Sequence, residues 1–357
     1  IKPDSGLATC ASTVSPAISF DRLGGLYMWT DDYVLLSRNA GLDWQEIYGA
    51  DPIDSDIQCV FPTAKGEIFA GFSSSSIYRA EKPDYGFLPA MLDGLENPVA
   101  STYGVVWIDY NVDGYEDAFV VNDGVNFLYR NTGDGNFRKV MSGEIATDNA
   151  PSRGASWADY NNDGLPDCYV TNWNAQNNLY KNLGGGTFKK ITSGNIVEDI
   201  GEFRSCSWID VNNDGHLDLY LANVSGKNIL YINDGTNHFT QSNSDAVGEA
   251  NDKTYGVGWC DFDKDGDQDI YLANGGVDRL YEQTGNLVFQ AVGDNRIPQN
   301  TGIAVGCSWG DYDSDGWMDL LVANADKENI VFRNNRNGSF SRTYPEGIAT
   351  DVGVSKG

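Results

Sequence analysis

Residues 157–172 read WADYNNDGLPDCYVTN. A tryptophan comes first, then an Asp two residues on, then the pattern D-x-N-x-D-G-x-x-D, then a short apolar run ending in Asn. The same phrase recurs as WIDYNVDGYEDAFVVN at 107–122, WIDVNNDGHLDLYLAN at 208–223, WCDFDKDGDQDIYLAN at 259–274 and WGDYDSDGWMDLLVAN at 309–324. The tryptophans Trp107, Trp157, Trp208, Trp259 and Trp309 are spaced by 50, 51, 51 and 50 residues. After each phrase come a further strand-like run such as NLYKN, a Gly-rich turn, and a Phe: Phe137, Phe188, Phe239, Phe289 and Phe340. One unit therefore reads strand, carboxylate loop, strand, turn, strand, turn, strand. The runs are short, aromatic and β-branched, and Gly, Asn and Asp punctuate them. Four short antiparallel strands in about 50 residues are the unit of a β-propeller blade. A helical period of 3.6 is absent.

The regular units span 99–148, 149–199, 200–250, 251–301 and 302–350. Ahead of them, GLYMW, YVLLSRN and WQEIY make three strand-like runs in 13–50, and IQCVF, EIFAGF, SIYRA and GFLPAM make four in 51–98. These two stretches have blade length and no carboxylate loop. The turn SRNAGLDW (37–44) is similar to the Asp-box of other propellers, with Asn39 where the Asp stands. Two degenerate and five regular units predict an all-β fold: one seven-bladed β-propeller of four-stranded antiparallel blades filling 1–357. EGIATDVGVSKG at 346–357 resembles EIATDNAPSRG at 144–154, so 351–357 reads as a possible truncated continuation.

The loops place oxygen donors at positions 1, 3, 5 and 9, with a carbonyl expected from position 7 and Gly at 6. Residue by residue these are Asp109, Asn111, Asp113, Tyr115 and Asp117; Asp159, Asn161, Asp163, Leu165 and Asp167; Asp210, Asn212, Asp214, His216 and Asp218; Asp261, Asp263, Asp265, Asp267 and Asp269; Asp311, Asp313, Asp315, Trp317 and Asp319. Calcium takes six to eight oxygens, and alternating residues of a tight loop supply them. The start resembles an EF-hand loop, but its position-12 Glu is replaced by Val120, Val170, Leu221, Leu272 and Val322. Magnesium demands strict octahedral geometry, and transition metals favour His or Cys ligands. The expected cofactor is Ca2+, about five ions, one per regular blade. Turn propensity alone explains Asp, Asn and Gly in a single loop. It does not explain like charges held at fixed positions five times over. The last two loops carry four carboxylates against three elsewhere and are expected to bind more tightly.

The chain has 51 Asp and Glu against 24 Lys and Arg, a net charge of −27. Such acidity argues against nucleic acid and against anionic membrane surfaces. No apolar run reaches the about 18 residues of a spanning helix. Positions 1, 3, 5 and 9 of the loops alone hold seventeen of the 51 acids. The six cysteines show no CxxC spacing, so they read as disulfides or as core thiols.

The tryptophan series is expected to pack between blades. Asn122, Asn172, Asn223, Asn274 and Asn324 are expected to brace turns. Trp173 stands where the other repeats have Asp123, Val224, Gly275 and Ala325, and an aromatic there could stack on a sugar. Tyr103, Arg153, Phe203, Tyr255 and Ile303 vary in type just upstream of each tryptophan strand, where a ligand surface would be built. Asn223 and Asn337 begin N-glycosylation sequons. HExxH and P-loop motifs are absent, and His216 and His238 are the only histidines.

The five repeats resemble the FG-GAP/VCBS repeats of integrin α-subunit propellers and of many secreted proteins. The phrase DYNNDGLPDCYVTN…NLYKNLGGGTF is particularly similar to the propeller of the cartilage acidic protein family. The ASPIC/UnbV segment that follows that propeller is not found here. The resemblance covers roughly 99–344. It implies structural calcium, a secreted or cell-surface setting, and adhesion or recognition of a protein or glycan ligand. The alternatives are a structural subunit of a surface filament or matrix, packing against copies of itself, and a carbohydrate-active lyase or hydrolase.

Overall fold

The computed structural model describes residues 101–134, 136–242, 247 and 252–343 in full, and eight earlier strands by their backbone. Those eight form two antiparallel four-stranded sheets. The first holds β1 (Ile18–Phe20), β2 (Leu26–Trp29), β3 (Val34–Ser37) and β4 (Gln45–Tyr48); the second holds β5 (Ile57–Pro62), β6 (Ile68–Phe72), β7 (Ile77–Ala80) and β8 (Leu88–Pro89). Strand β1 supplies the fourth strand that the sequence pattern of 13–50 lacks. The turn at 38–44 and the segment 344–357 lie outside the described residues.

The regular repeats follow with the same order of four. They are β9 (Ser101–Ile108), β10 (Asp117–Val125), β11 (Phe127–Asn131) and β12 (Phe137–Lys139); β13 (Asn149–Ala158), β14 (Asp167–Gln176), β15 (Asn178–Asn182) and β16 (Phe188–Ile191); β17 (Ile200–Ile209), β18 (Asp218–Asn223), β19 (Ile229–Asn233) and β20 (Phe239–Gln241); β21 (Thr254–Cys260), β22 (Asp269–Asn274), β23 (Arg279–Gln283) and β24 (Phe289–Ala291); and β25 (Ala304–Gly310), β26 (Asp319–Asn324), β27 (Ile330–Asn334) and β28 (Phe340–Thr343). Each is an up-and-down antiparallel sheet, and the carboxylate loop joins its first two strands.

Two departures from independent blades have local causes. Strands β10 and β14 run past their Asn and pair with the next repeat, Asp123–Val125 on Asn149–Pro151 and Trp173–Gln176 on Ile200–Glu202. The later repeats place turn-forming VSGK, GGVD and ADKE after that Asn, and their second strands stop there. Single helical turns, α1 (Glu144–Thr147) and α2 (Asn195–Glu198), also appear where none is expected; they bury Ile145, Ala146, Ile196 and Val197.

The core lies between successive sheets. Trp157 meets Phe119 of the preceding repeat edge-on at 5.5 Å and Phe188 of its own at 5.8 Å. Trp208 sits likewise between Tyr169 and Phe239, Trp259 between Tyr220 and Phe289, and Trp309 between Phe262 and Phe340. Trp157, Trp208, Trp259 and Trp309 are inter-sheet packing, as expected, while Trp107 packs on Phe137 of its own sheet at 5.8 Å. Cys168, Cys206, Cys260 and Cys307 are buried free thiols, each with burial raising the thiol pKa for the first three. No helix of the described residues is long and apolar enough to cross a membrane.

Candidate functional site

The five loops share one geometry. Both oxygens of the position-1 Asp accept backbone N–H groups. Asp109 takes those of Asp113 and Gly114 at 2.9 and 2.8 Å, and Asp159, Asp210, Asp261 and Asp311 repeat the pair. The position-5 Asp accepts the N–H of position 7, for example Leu165 to Asp163 at 3.2 Å. Position 4 has positive φ in every loop, from 56° to 65° (Val112, Asn162, Asn213, Lys264, Ser314), and Gly at position 6 has φ of 85° to 98°. That left-handed pair folds the loop back so that alternate side chains converge. Glycine, and next Asn, tolerate it best.

The position-9 Asp begins the second strand and is buried in all five loops. Its Oδ1 accepts a backbone N–H from the third strand: Asn131, Asn182, Asn233, Gln283 or Asn334. Burial pushes the Asp117 carboxyl up to about 7, with Asp113 and Asp109 adding repulsion against the Asn131 hydrogen bond. Burial likewise lifts Asp167 to about 7, Asp218 to about 6, Asp269 to about 8 and Asp319 to about 7. Without a cation these groups resist ionisation; a divalent ion would invert that balance.

The donors present suit a hard cation: they are oxygens, with no His ring or thiol turned inward. One oxygen from each of Asp261, Asp263 and Asp265 lies within 4.8 Å of the others, and so do those of Asp311, Asp313 and Asp315. In the first loop the Asn111 Oδ1 is buried and accepts no hydrogen bond, while its Nδ2 donates to Asp117 at 3.0 Å. A cation beside Asn111 would meet that oxygen. Basic side chains compete unevenly. Arg130 pairs with Asp113, Lys181 with Asp163, and Arg333 and Arg336 with Asp313 and Asp315. The ion pairs among the described residues leave Asp261, Asp263 and Asp265 without a basic partner.

The position-7 side chains stay out of the ligand shell. The His216 ring lies against Gly235, where an added Cβ would sit 2.4 Å from its Nε2, and its Nδ1 is 3.2 Å from the Asn162 amide. The loops are also tied to one another. Asn162 Nδ2 donates to Gly215 O at 3.3 Å, Asn213 Nδ2 to Gly266 O at 3.1 Å, and Lys264 Nζ stands 4.4 Å above the Trp317 ring.

A second network links the sheets. Asn182 donates to Tyr110 O, Asn233 to Tyr160 O, Gln283 to Val211 O and Asn334 to Phe262 O, each reaching the preceding repeat's loop. The recurring polar residue at the end of the third strand was the signal for it. The Asn122 series braces turns as expected, each Nδ2 donating to a carbonyl three or four residues on.

The upstream positions need correcting. In each first strand one residue is bulged out, at Tyr103, Arg153, Arg204, Tyr255 and Val305. Phe203 and Ile303 are one and two residues off that register; Phe203 is core and Ile303 is exposed. Counting back four from each tryptophan finds the right set. The bulges stand at the opposite end of the first strand from the metal loop. Asn223 is buried and its amide is engaged, whereas Asn337 is exposed.

Comparison with known proteins places these repeats. The model of the FG-GAP-like repeat matches residues 109–170, 159–221, 210–272, 261–322 and 311–355. No curated protein matches the chain. Among solved structures, the chain is similar to an Agrocybe aegerita lectin whose structure concerns specific recognition of non-reducing terminal N-acetylglucosamine. That match has TM-score 0.63 and 17% identity, covering 96% of this chain and 93% of the lectin. The BP39L lectin of Burkholderia pseudomallei aligns with TM-score 0.60 and 12% identity over 93% of this chain and 94% of its own. Virginiamycin B lyase of Staphylococcus aureus aligns with TM-score 0.57 and 15% identity over 87% and 92%. At these identities the likeness is one of fold, a β-propeller.

Proposed function

The chain belongs to the FG-GAP-like repeat family, and from that premise we propose that it is a seven-bladed, calcium-stabilised β-propeller that works outside the cell as a ligand-recognition module. Seven consecutive groups of four strands support the blade number. One observation carries the calcium reading: five loops repeat one left-handed turn ahead of a buried Asp, and in the last two the oxygens of positions 1, 3 and 5 lie within 4.8 Å of one another. Loops of this charge and openness suit the calcium concentrations that extracellular modules meet. Calcium here is structural. It offsets the repulsion within each loop and pins the first two strands to the third.

Recognition follows from what the frame leaves variable. The metal loops and the inter-sheet aromatics repeat, while the bulged residues at the other strand ends differ from blade to blade. The two lectins among similar structures bind sugars on this architecture, which favours a glycan ligand over a protein one.

The test is calcium titration calorimetry on chelator-stripped protein, followed by glycan and protein arrays with and without calcium. About five ions per chain, and array binding that chelation abolishes, are expected. Protein that takes up no calcium would sink the metal reading. Regular polymers on light scattering, with no array binding, would favour a structural subunit instead.

A further inference from the structure

The first strand of every regular repeat carries a β-bulge at one register. The Asn of the second strand pairs with Thr102, Ser152, Phe203, Thr254 or Ala304, and the next pairing skips a residue. A bulge takes a residue out of the ladder and re-aims its side chain. In chain order the skipped residues are Tyr103, Arg153, Arg204, Tyr255 and Val305. Val305 shows that the backbone device works with a small apolar residue. The Tyr, Arg, Arg, Tyr run is therefore not demanded by the fold.

The run makes two stacked clusters on neighbouring first strands. The Arg153 guanidinium lies 4.1 Å from the Tyr103 ring centroid and 5.6 Å from that of Trp173. Arg204 lies 4.9 Å from the Tyr255 ring. Arg153 also donates to Ser152 O at 2.9 Å and to the exposed Asp123 at 3.1 Å. Gly275 makes room for the arrangement: a Cβ there would sit 2.7 Å from Tyr255 Cε2. Arg204 is largely buried, which lowers its guanidinium pKa.

Stacking on aromatic faces fixes a guanidinium plane, and at Arg153 a ligand carboxylate would take the place of the exposed Asp123. The half-exposed Trp173 beside it offers a flat face to a sugar ring. We propose that Arg153 and Arg204, with Tyr103, Trp173 and Tyr255, form a binding site for a terminal carboxylate-bearing sugar of an acidic glycan. The overall negative charge repels long polyanions, so the ligand is a single acidic terminus and not a polyuronide. This assignment rests on the recognition reading, and it locates the ligand face at the strand ends away from calcium.

The test uses the calcium-loaded full chain on an array of sialic- and glucuronic-acid-terminated glycans, their neutral counterparts and polyuronides. Wild type should bind the acidic termini alone. Trp173→Ala and Arg204→Met should each weaken that binding about tenfold or more, with melting temperature within a few degrees of wild type. Should Arg204→Met misfold, Trp173→Ala alone decides. Equal binding of neutral and acidic termini, or a folded Trp173→Ala that binds as wild type does, would overturn the site while leaving recognition intact. No binding by any preparation would overturn both.

Discussion

At the residue scale, two loop positions carry opposite costs. Position 4 must adopt positive φ, and Asn162 and Asn213 suit it while Val112 at φ 58° does not. Val112 is 59% exposed and loses little packing on replacement. Val112→Asn should therefore raise stability by about 1 kcal/mol, read by urea denaturation with calcium present. Position 9 buries a carboxylate. Because folding raises these Asp pKa values to between about 6 and 8, their contribution to calcium-free stability is present below about pH 4 and lost as pH rises to 8. The chelated protein should therefore melt at lower temperature at pH 8 than at pH 5, on this contribution. The calcium-loaded protein should show the drop much reduced. Asp117→Asn separates the two states: with chelator at pH 8 its melting temperature should equal or exceed wild type, and with calcium it should fall with one ion fewer bound. At the sequons, mass spectrometry of secreted protein should find glycan on Asn337 and not on the buried Asn223.

At the element scale, the loop and its neighbours act together. The tie from Asn213 to Gly266 O joins the third and fourth loops. Asn213→Gly keeps the backbone freedom and removes the donor, so it should weaken calcium at the Asp261 loop, read by calorimetry. That loop should also be the tightest of the five. The Asp311 loop has as many carboxylates, but Arg333 and Arg336 already occupy Asp313 and Asp315. Five indistinguishable sites would contradict this ordering. Trp157→Ala would empty the space between two sheets, at a cost of ~3–5 kcal/mol.

At the scale of the whole molecule, repetition spreads stability over many like interfaces. From the second regular repeat on, each sheet buries one aromatic set against the sheet before it and sends one amide to that neighbour's loop. On the calcium reading, an ion bound only by the folded chain would add at every such joint, ~2.7 kcal/mol per site at a hundred times its Kd. Chelation should lower the melting temperature by well over ten degrees in calorimetry, and an unchanged value would refute structural calcium. The ions also change the electrostatics: five of them would move the net charge of −27 toward zero by ten units.

Much of this was determined by the sequence alone. A period near 50 residues, read from Trp157 and its four counterparts, marks the repeating sheets, because each unit must bury the same aromatic face. The shared loop turn was legible because Asp, Asn and Gly at alternating positions leave a pattern that turn preference does not. The tertiary structure decided what depends on neighbours. Whether β10 and β14 pair onward turns on hydrogen bonds to the next repeat, and which Asp lacks a basic partner turns on Arg333 and Arg336 arriving from another strand. The bulge that selects Arg204 over Phe203 is a one-residue shift in pairing. No single strand's pattern specifies such a shift, since it exists only between two strands.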